Sequence, residues 1–316
     1  MGSTTIVGTR VPMAPVPARK PATVWQRMVR YRHAYLMIAI TFILLLTFNY
    51  YPAFMGLFRA FFIYDVGKPA QFNGLENFVT LFTVDKVFIG SLGNVAIQTV
   101  WRVFSALLFP FLAAELIFGL TNPRHKYGYR LAMVLPIVVP GMVYLLLWQF
   151  MYDGTHGLLN ALLRAIGLES WQRPWLGDPK TALGAVTLMG FPWVGGVNVL
   201  IYLAGLQGIT SEVIDSAKID GCVGSSRVWH IDIPLIRPQF KLIAVLSIIG
   251  GLQGWGAMFV MTKGGPGYAT MVPGLWMYNN AFFWNKMGYA SAIGMVLFLI
   301  IMAITIINLK FVKSAD

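Results

Sequence analysis

Tyr289-Ala-Ser-Ala-Ile-Gly-Met-Val-Leu-Phe-Leu-Ile-Ile-Met-Ala-Ile-Thr-Ile-Ile-Asn-Leu-Lys-Phe311 carries no charge before Lys310. About 20 helical residues cross a hydrocarbon core roughly 30 Å thick, so this stretch predicts a transmembrane helix. The rest of the chain agrees with it. Of 316 residues, 57% are hydrophobic and 11% charged, against about 45–50% and 25% in soluble domains. Mean hydropathy is +0.66. Such a composition argues against a soluble enzyme and for helices solvated by lipid.

Five more apolar stretches of similar length precede it, at about 35–58, 88–118, 131–151, 181–206 and 240–262. They predict an all-α membrane protein with six transmembrane helices in a domain over residues 35–313. Residues 1–34 read as a basic, proline-dotted tail without the apolar core and small-residue cleavage site of a secretory signal. Counting Lys and Arg by alternate loops puts fifteen on the amino-terminal side and eight on the other, with Arg102 left inside a span. Basic residues gather on the inner side of membranes, so both termini are expected in the cytoplasm. The net charge of +12 is explained by this orientation without invoking nucleic acid. The loops at about 59–87, 152–180 and 263–288 are expected outside.

One cysteine, Cys222, precludes an internal disulfide, and His33, His125, His156 and His230 lack ligand spacing, so no metal is expected. A G-x-x-x-x-G-K-S/T phosphate loop is absent. The chain is expected to bind no cofactor, and any nucleotide energy must come from another chain.

Between the fourth and fifth spans lies Gly208-Ile-Thr-Ser-Glu-Val-Ile-Asp-Ser-Ala-Lys-Ile-Asp-Gly221, continuing to Ile233-Pro234. A short helix at about 210–221 is expected. Thr210 or Ser211 can cap its start, Glu212 and Asp215 suit its positive end, Lys218 suits the other, and Gly221 can end it in the left-handed conformation. On the residues alone it is equally a solvated connector. The stretch Asp215-Ser-Ala-Lys-Ile-Asp-Gly-Cys, followed by Ile231-Asp-Ile-Pro234, resembles the EAA loop of permease subunits of binding-protein-dependent ABC importers, with the spacing kept. Asp215 replaces Glu, Ser216 the first Ala and Cys222 the usual Ala. Thr262-Lys-Gly-Gly-Pro-Gly267, Phe72-Asn-Gly-Leu-Glu-Asn-Phe78 and, more weakly, Gly157-Leu-Leu-Asn160 with Leu135-Pro136 resemble its carbohydrate-uptake branch.

The resemblance implies the type I importer permease fold and a place in the cytoplasmic (inner) membrane. It also implies a coupling helix gripped by a cytoplasmic ATPase, with Glu212, Asp215, Ser216, Ala217, Asp220, Gly221 and Pro234 at the contact. The implied partners are a second permease subunit, two copies of the ATPase, which would bind ATP and Mg, and an extracytoplasmic substrate-binding protein. In that branch the helices flanking the loop touch the sugar. Here they offer Trp193 and Asn198 before it and Ser247, Gly251, Gln253, Gly254 and Trp255 after it: hydrogen-bonding groups, an aromatic plate and room. Small residues also permit close helix packing, which is the competing reading of each glycine.

Ser91, Asn94, Gln98, Arg102 and Ser105 recur at steps of three and four, a polar seam on one helical face. Arg102 is either a pathway residue or a packing residue, and it keeps glycerol phosphate or another polyol open as cargo beside a di- or oligosaccharide. An ion-coupled secondary transporter is disfavoured, since Glu115 is the one obvious intramembrane acid.

Overall fold

The computed structural model describes residues 23–191 and 195–311. Contacts divide the chain into two units, Met1–Phe54 and Met55–Asp316. In the first, helix α1 (Val24–Arg30) precedes α2 (Arg32–Arg59), which runs across the division.

In the second unit, a small hairpin pairs Phe62–Ile63 with Gln71–Phe72. Helix α3 (Glu76–Thr83) follows, then α4 (Lys86–Gly119), the longest in the chain. Its 34 residues reach about 51 Å at 1.5 Å per residue, longer than a bilayer core, with Arg102 at its midpoint. The Asp85 carboxylate caps it, accepting the Phe88 N–H at 2.8 Å. Next come α5 (Pro123–Val134), α6 (Gly141–Met151), α7 (Leu158–Ala165), α8 (Ala182–Leu188), α9 (Gly196–Gln207) and α10 (Ser211–Ile219). After two single-turn helices the chain closes with α11 (Arg237–Leu252), α12 (Gly256–Met261), α13 (Pro273–Tyr278) and α14 (Met287–Phe311).

Four helical stretches are long and apolar enough to cross a membrane: Arg32–Arg59, Lys86–Gly119, Arg237–Met261 and Met287–Asn308. The stretch expected at 131–151 is instead bent by 87° between Pro123–Val138 and Gly141–Met151. Pro136 and Pro140 explain the break, since neither can donate to the helical ladder. The stretch expected at 181–206 is interrupted between α8 and α9. A second bent pair joins α9 to α10 at 73°. With Glu212, Asp215 and Lys218 among its nine residues, α10 is a poor candidate for hydrocarbon, where each such charge costs about 2.5 kcal/mol or more. Among the described residues there are four candidate spans by length and composition, or up to six if each bent pair is one span.

Helix α4 packs against α11 and α9, and two buried clusters sit along it. Around its first half, Phe88 and Val95 meet Leu275 of α13 and Ile293 of α14. Around its second half, Phe111 and Ala114 meet Val199, Tyr202 and Leu206 of α9 and Ile243 of α11. The waist of α4, near Gln98–Ser105, lies between these clusters.

Candidate functional site

A cavity of about 350 Å³ opens at that waist, lined by Gln98, Trp101, Arg102 and Ser105 of α4, Val186 and Thr187 of α8, Met189, and residues 250–251 and 254–258. It exists because three elements stop short of one another. Helix α8 ends at Leu188. The ladder of α11 breaks at Gln253–Trp255 before α12 resumes. Gly250 and Gly251 leave backbone where side chains would stand. A Cβ at Gly251 would lie 2.7 Å from Thr99 Oγ1, so the close approach of α11 to α4 requires glycine there. A Cβ at Gly250 would lie 3.1 Å from the Arg102 guanidinium, which rests over this bare backbone.

Trp255 is held at the cavity edge, stacked on Tyr278 at 5.0 Å between ring centroids and 24° between planes. Gln98 is 9% exposed, and its Nε2 has no hydrogen-bond partner; neither does the buried Thr187 Oγ1. The polar seam thus divides in two. Ser91 and Asn94 are structural, donating to the Phe88 and Met271 carbonyls at 2.6 and 2.8 Å. Gln98, Arg102 and Ser105 face the cavity.

Of the pathway residues expected from sequence, the cavity brings together Arg102, Gly251, Gly254 and Trp255. Ser247 is buried in the helix packing, Asn198 is half-buried, and Gln253 is exposed; none lines this cavity. Trp193 lies outside the described residues. Gln98, Trp101 and Thr187 were not among the expected pathway residues. The spacing of the seam could have pointed to Gln98, whereas Thr187 is set by the interruption of α8, which no local pattern announces.

The loop after α9 forms helix α10 as expected, and Gly221 ends it. Gly221 takes φ +72°, its N–H reaches the Lys218 carbonyl at 3.1 Å, and the Cys222 N–H reaches that of Ala217 at 2.8 Å. This is the paired closure of a Schellman motif. The start differs from expectation. Thr210 occupies the cap position but its side chain accepts nothing from the helix. Instead the Glu212 carboxylate is held below the usual glutamate range, first by its own backbone N–H and then by the Thr210 hydroxyl. Ala217 turns inward, while Glu212, Asp215, Ser216, Asp220 and Gly221 are exposed and Pro234 is half-buried. Lys218 bridges Asp215 at 2.8 Å, both exposed, a pair worth little by itself. Ile219 and Trp229 are 87% and 69% exposed.

Arg227 anchors the loop. Its Nε donates to Asp232 at 2.9 Å, its Nη2 lies 3.8 Å from Glu115, and its guanidinium sits 5.5 Å from the Phe118 ring. Asp232 is fully buried. Glu115 and Phe118 belong to α4, so one side chain ties the loop after α10 to the helix that lines the cavity. Sequence reading assigned Arg227 only to the inner-side charge count, because its partners lie across the fold.

Residues 106–314 match the family described as binding-protein-dependent transport system inner membrane component. The chain belongs to this family. Its members are the permease subunits of ABC transporters, which carry no ATPase site of their own. The permease is 33% identical to a probable ABC transporter permease, YurN, of Bacillus subtilis, over 89% of this chain and 96% of that one. It is 28% identical to the multiple sugar-binding transport system permease MsmF of Streptococcus mutans over 88% and 94%. With the sn-glycerol-3-phosphate transport system permease UgpA of Agrobacterium fabrum it shares 31% over 89% and 94%. Its fold resembles that of a bacterial ABC transporter chain involved in import of the acidic polysaccharide alginate, with TM-score 0.79 and 22% identity over 92% of this chain and 99% of that one.

Two of the further motifs hold asparagines that pin the permease's loops. Asn77 donates to the Ala60 and Phe62 carbonyls at 2.8 and 3.0 Å. Asn160 donates to the Gly154 and Arg173 carbonyls and accepts the Trp175 indole N–H at 2.8 Å.

Proposed function

We propose that this chain is the permease subunit of a type I importer that moves a di- or oligosaccharide across the bacterial or archaeal cytoplasmic membrane, coupled through α10 to a separate ATPase. In this reading residues 35–313 form six spans, counting Pro123–Met151 as one broken span and α8 with α9 as another, and both termini are cytoplasmic. The relatives are named for multiple sugars, for sn-glycerol 3-phosphate and for sulfoquinovosyl glycerol, which supports a polyhydroxylated cargo. One solved relative is recorded with an alginate-loaded periplasmic protein, which supports delivery by a substrate-binding protein to the outer loops. A second permease subunit and two ATPase copies, holding ATP and Mg, complete the assembly.

The observation that carries the reading is the display of α10. A charged helix is turned 73° from α9, presents Glu212, Asp215, Ser216 and Asp220 to solvent, and has exposed Ile219 and Trp229 beside it. In this reading the acidic face of α10 and these exposed apolar side chains are offered to the ATPase. Arg227 carries displacement of that loop to α4, and α4 carries it to the cavity. Asp215→Lys combined with Gly221→Pro tests this. The variant inserts in the membrane normally but loses copurification with the ATPase and transport-coupled ATP hydrolysis. Retention of both would remove the coupling role.

The alternative cargo is glycerol phosphate or another charged polyol, and Arg102 at the waist of α4 favours it.

A further inference from the structure

The cavity at the waist of α4 holds one formal charge, the Arg102 guanidinium, and no carboxylate lines it. Among the described residues Arg102 has no ion-pair partner; the ion pairs there join Lys68 to Asp65, Lys218 to Asp215, and Arg227 to Glu115 and Asp232. Glu115 lies thirteen positions further along α4, about 20 Å away at 1.5 Å per residue, and is engaged by Arg227. A charge at the middle of a membrane helix faces a partner, water or a cargo rather than lipid.

Two further unpaired polar groups of the wall can donate as well, an amide N–H and a hydroxyl. Gln98 Nε2, on a side chain more than nine-tenths buried, and Thr187 Oγ1 both lack partners and both belong to residues lining this cavity. Unsatisfied donors are rare in folded proteins, and several around one space imply an acceptor that enters it. Guanidinium presents a planar fork matched to carboxylate, sulfonate or phosphate oxygens. In the lining of the same space Trp255, fixed against Tyr278, offers a plate for a sugar's C–H face.

We infer that the cavity is an oxyanion subsite: the cargo is a carbohydrate or polyol bearing a carboxylate, sulfonate or phosphate, bound by Arg102 with Gln98 and Thr187 as supporting donors and Trp255 beneath the ring. This rests on the carbohydrate-importer reading and names its cargo class. It also makes Arg102 a selectivity residue carried by α4, which packs against the two helices that flank the coupling loop.

The test uses the complete transporter, with sister permease, ATPase and binding protein, in proteoliposomes supplied with ATP. Uptake is measured for maltose and sorbitol as neutral solutes and for sn-glycerol 3-phosphate, a glucuronate-ended disaccharide and a sulfonated sugar as anions. The wild type is expected to take up an anionic member in preference to the neutral ones. At saturating binding protein, Arg102→Gln is expected to lower anion uptake about tenfold to hundredfold, the range of one hydrogen bond to a charged group. Arg102→Lys retains part of it, and the anion-to-neutral ratio falls in the order wild type, Lys, Gln. A merely structural arginine would lower both classes alike and leave that ratio unchanged. Copurification with the sister subunit reports assembly of each variant; where one does not assemble, the wild-type preference alone decides. Preference for a neutral solute, or an unchanged ratio in Arg102→Gln, overturns the inference while leaving the importer reading intact. No ATP-dependent uptake of any solute by the wild type overturns both.

Discussion

Gly221 shows how a single residue sets the geometry of the loop that carries α10. At φ +72° any side chain adds strain of about 1–2 kcal/mol, while a Cβ there would meet nothing within 4 Å. Gly221→Ala is therefore expected to fray the last turn of α10 without a steric clash. Faster amide hydrogen exchange at Asp220–Cys222, with the rest of the chain unchanged, would report it. Gly251 is the opposite case. Its backbone conformation suits any residue, but a Cβ would stand 2.7 Å from Thr99 Oγ1 and 3.0 Å from Thr99 Cα. Gly251→Ala should drive α11 from α4 and lower stability by about 1–3 kcal/mol, read as a fall in the unfolding midpoint of the purified transporter. Glu212 adds a pH dependence. Its carboxyl titrates below the usual glutamate range in the folded loop, so its support of α10 is fully present above the ordinary value. That support is lost as pH falls through the lowered one. Glu212→Gln should abolish the acid-side loss of helix protection in hydrogen exchange, and its persistence would contradict the role.

Among the elements, those with a local cause were legible and those with a distant cause were not. The spans at 88–118 and 289–311 appear as helices within a few residues, because unbroken apolar runs determine them, whereas that at 240–262 appears as α11 and α12 with a break at Gln253–Trp255. The breaks at Pro136–Pro140 and between α8 and α9 were read as continuous spans, because apolar composition alone does not distinguish a bent helix from a straight one. Helix α10 was legible from its acidic start and terminal glycine. Its anchor was not, since Arg227 meets Glu115 across more than a hundred residues of sequence. The anchor makes its own prediction. Asp232 is fully buried, and removal of Arg227, which pairs with it at 2.9 Å, leaves a buried charge without that partner, which typically costs about 3–5 kcal/mol. Arg227→Met should destabilise the permease by that order, and adding Asp232→Val should recover part of it, because the more deeply buried of the two carboxylates facing Arg227 is then gone while Glu115 remains. Equal unfolding midpoints for the single and double variants would contradict this account. At the other end of α4, the Asp85 carboxylate caps the helix and accepts the Trp276 indole and Tyr289 hydroxyl at 2.7 Å each. The two ends of α4 are thus fixed by polar ties while its waist is left open.

For the whole molecule, the positions of these ties imply an order of transmission. The loop that carries α10 is fastened to the carboxy-terminal end of α4, the cavity sits half-way along that helix, and Asp85 joins its other end to α13 and α14. A rigid helix fastened at both ends can pass a tilt from loop to cavity, whereas a chain of mobile side chains would dissipate it. Transmission in this direction requires the coupling loop to lie in the cytoplasm. The excess of basic residues on its side of the membrane supports that placement. Cys222, the only cysteine in the chain, directly follows Gly221, is half-buried and is unpaired, so it reports the sidedness of the loop without any engineered label site. A membrane-impermeant maleimide should modify it in inverted membrane vesicles and leave it unmodified in intact cells. Addition of the ATPase should then slow the modification, because the motor would cover the end of α10. Labelling from the outside of intact cells would reverse the orientation of every span and, with it, the direction in which the loop could drive the cavity.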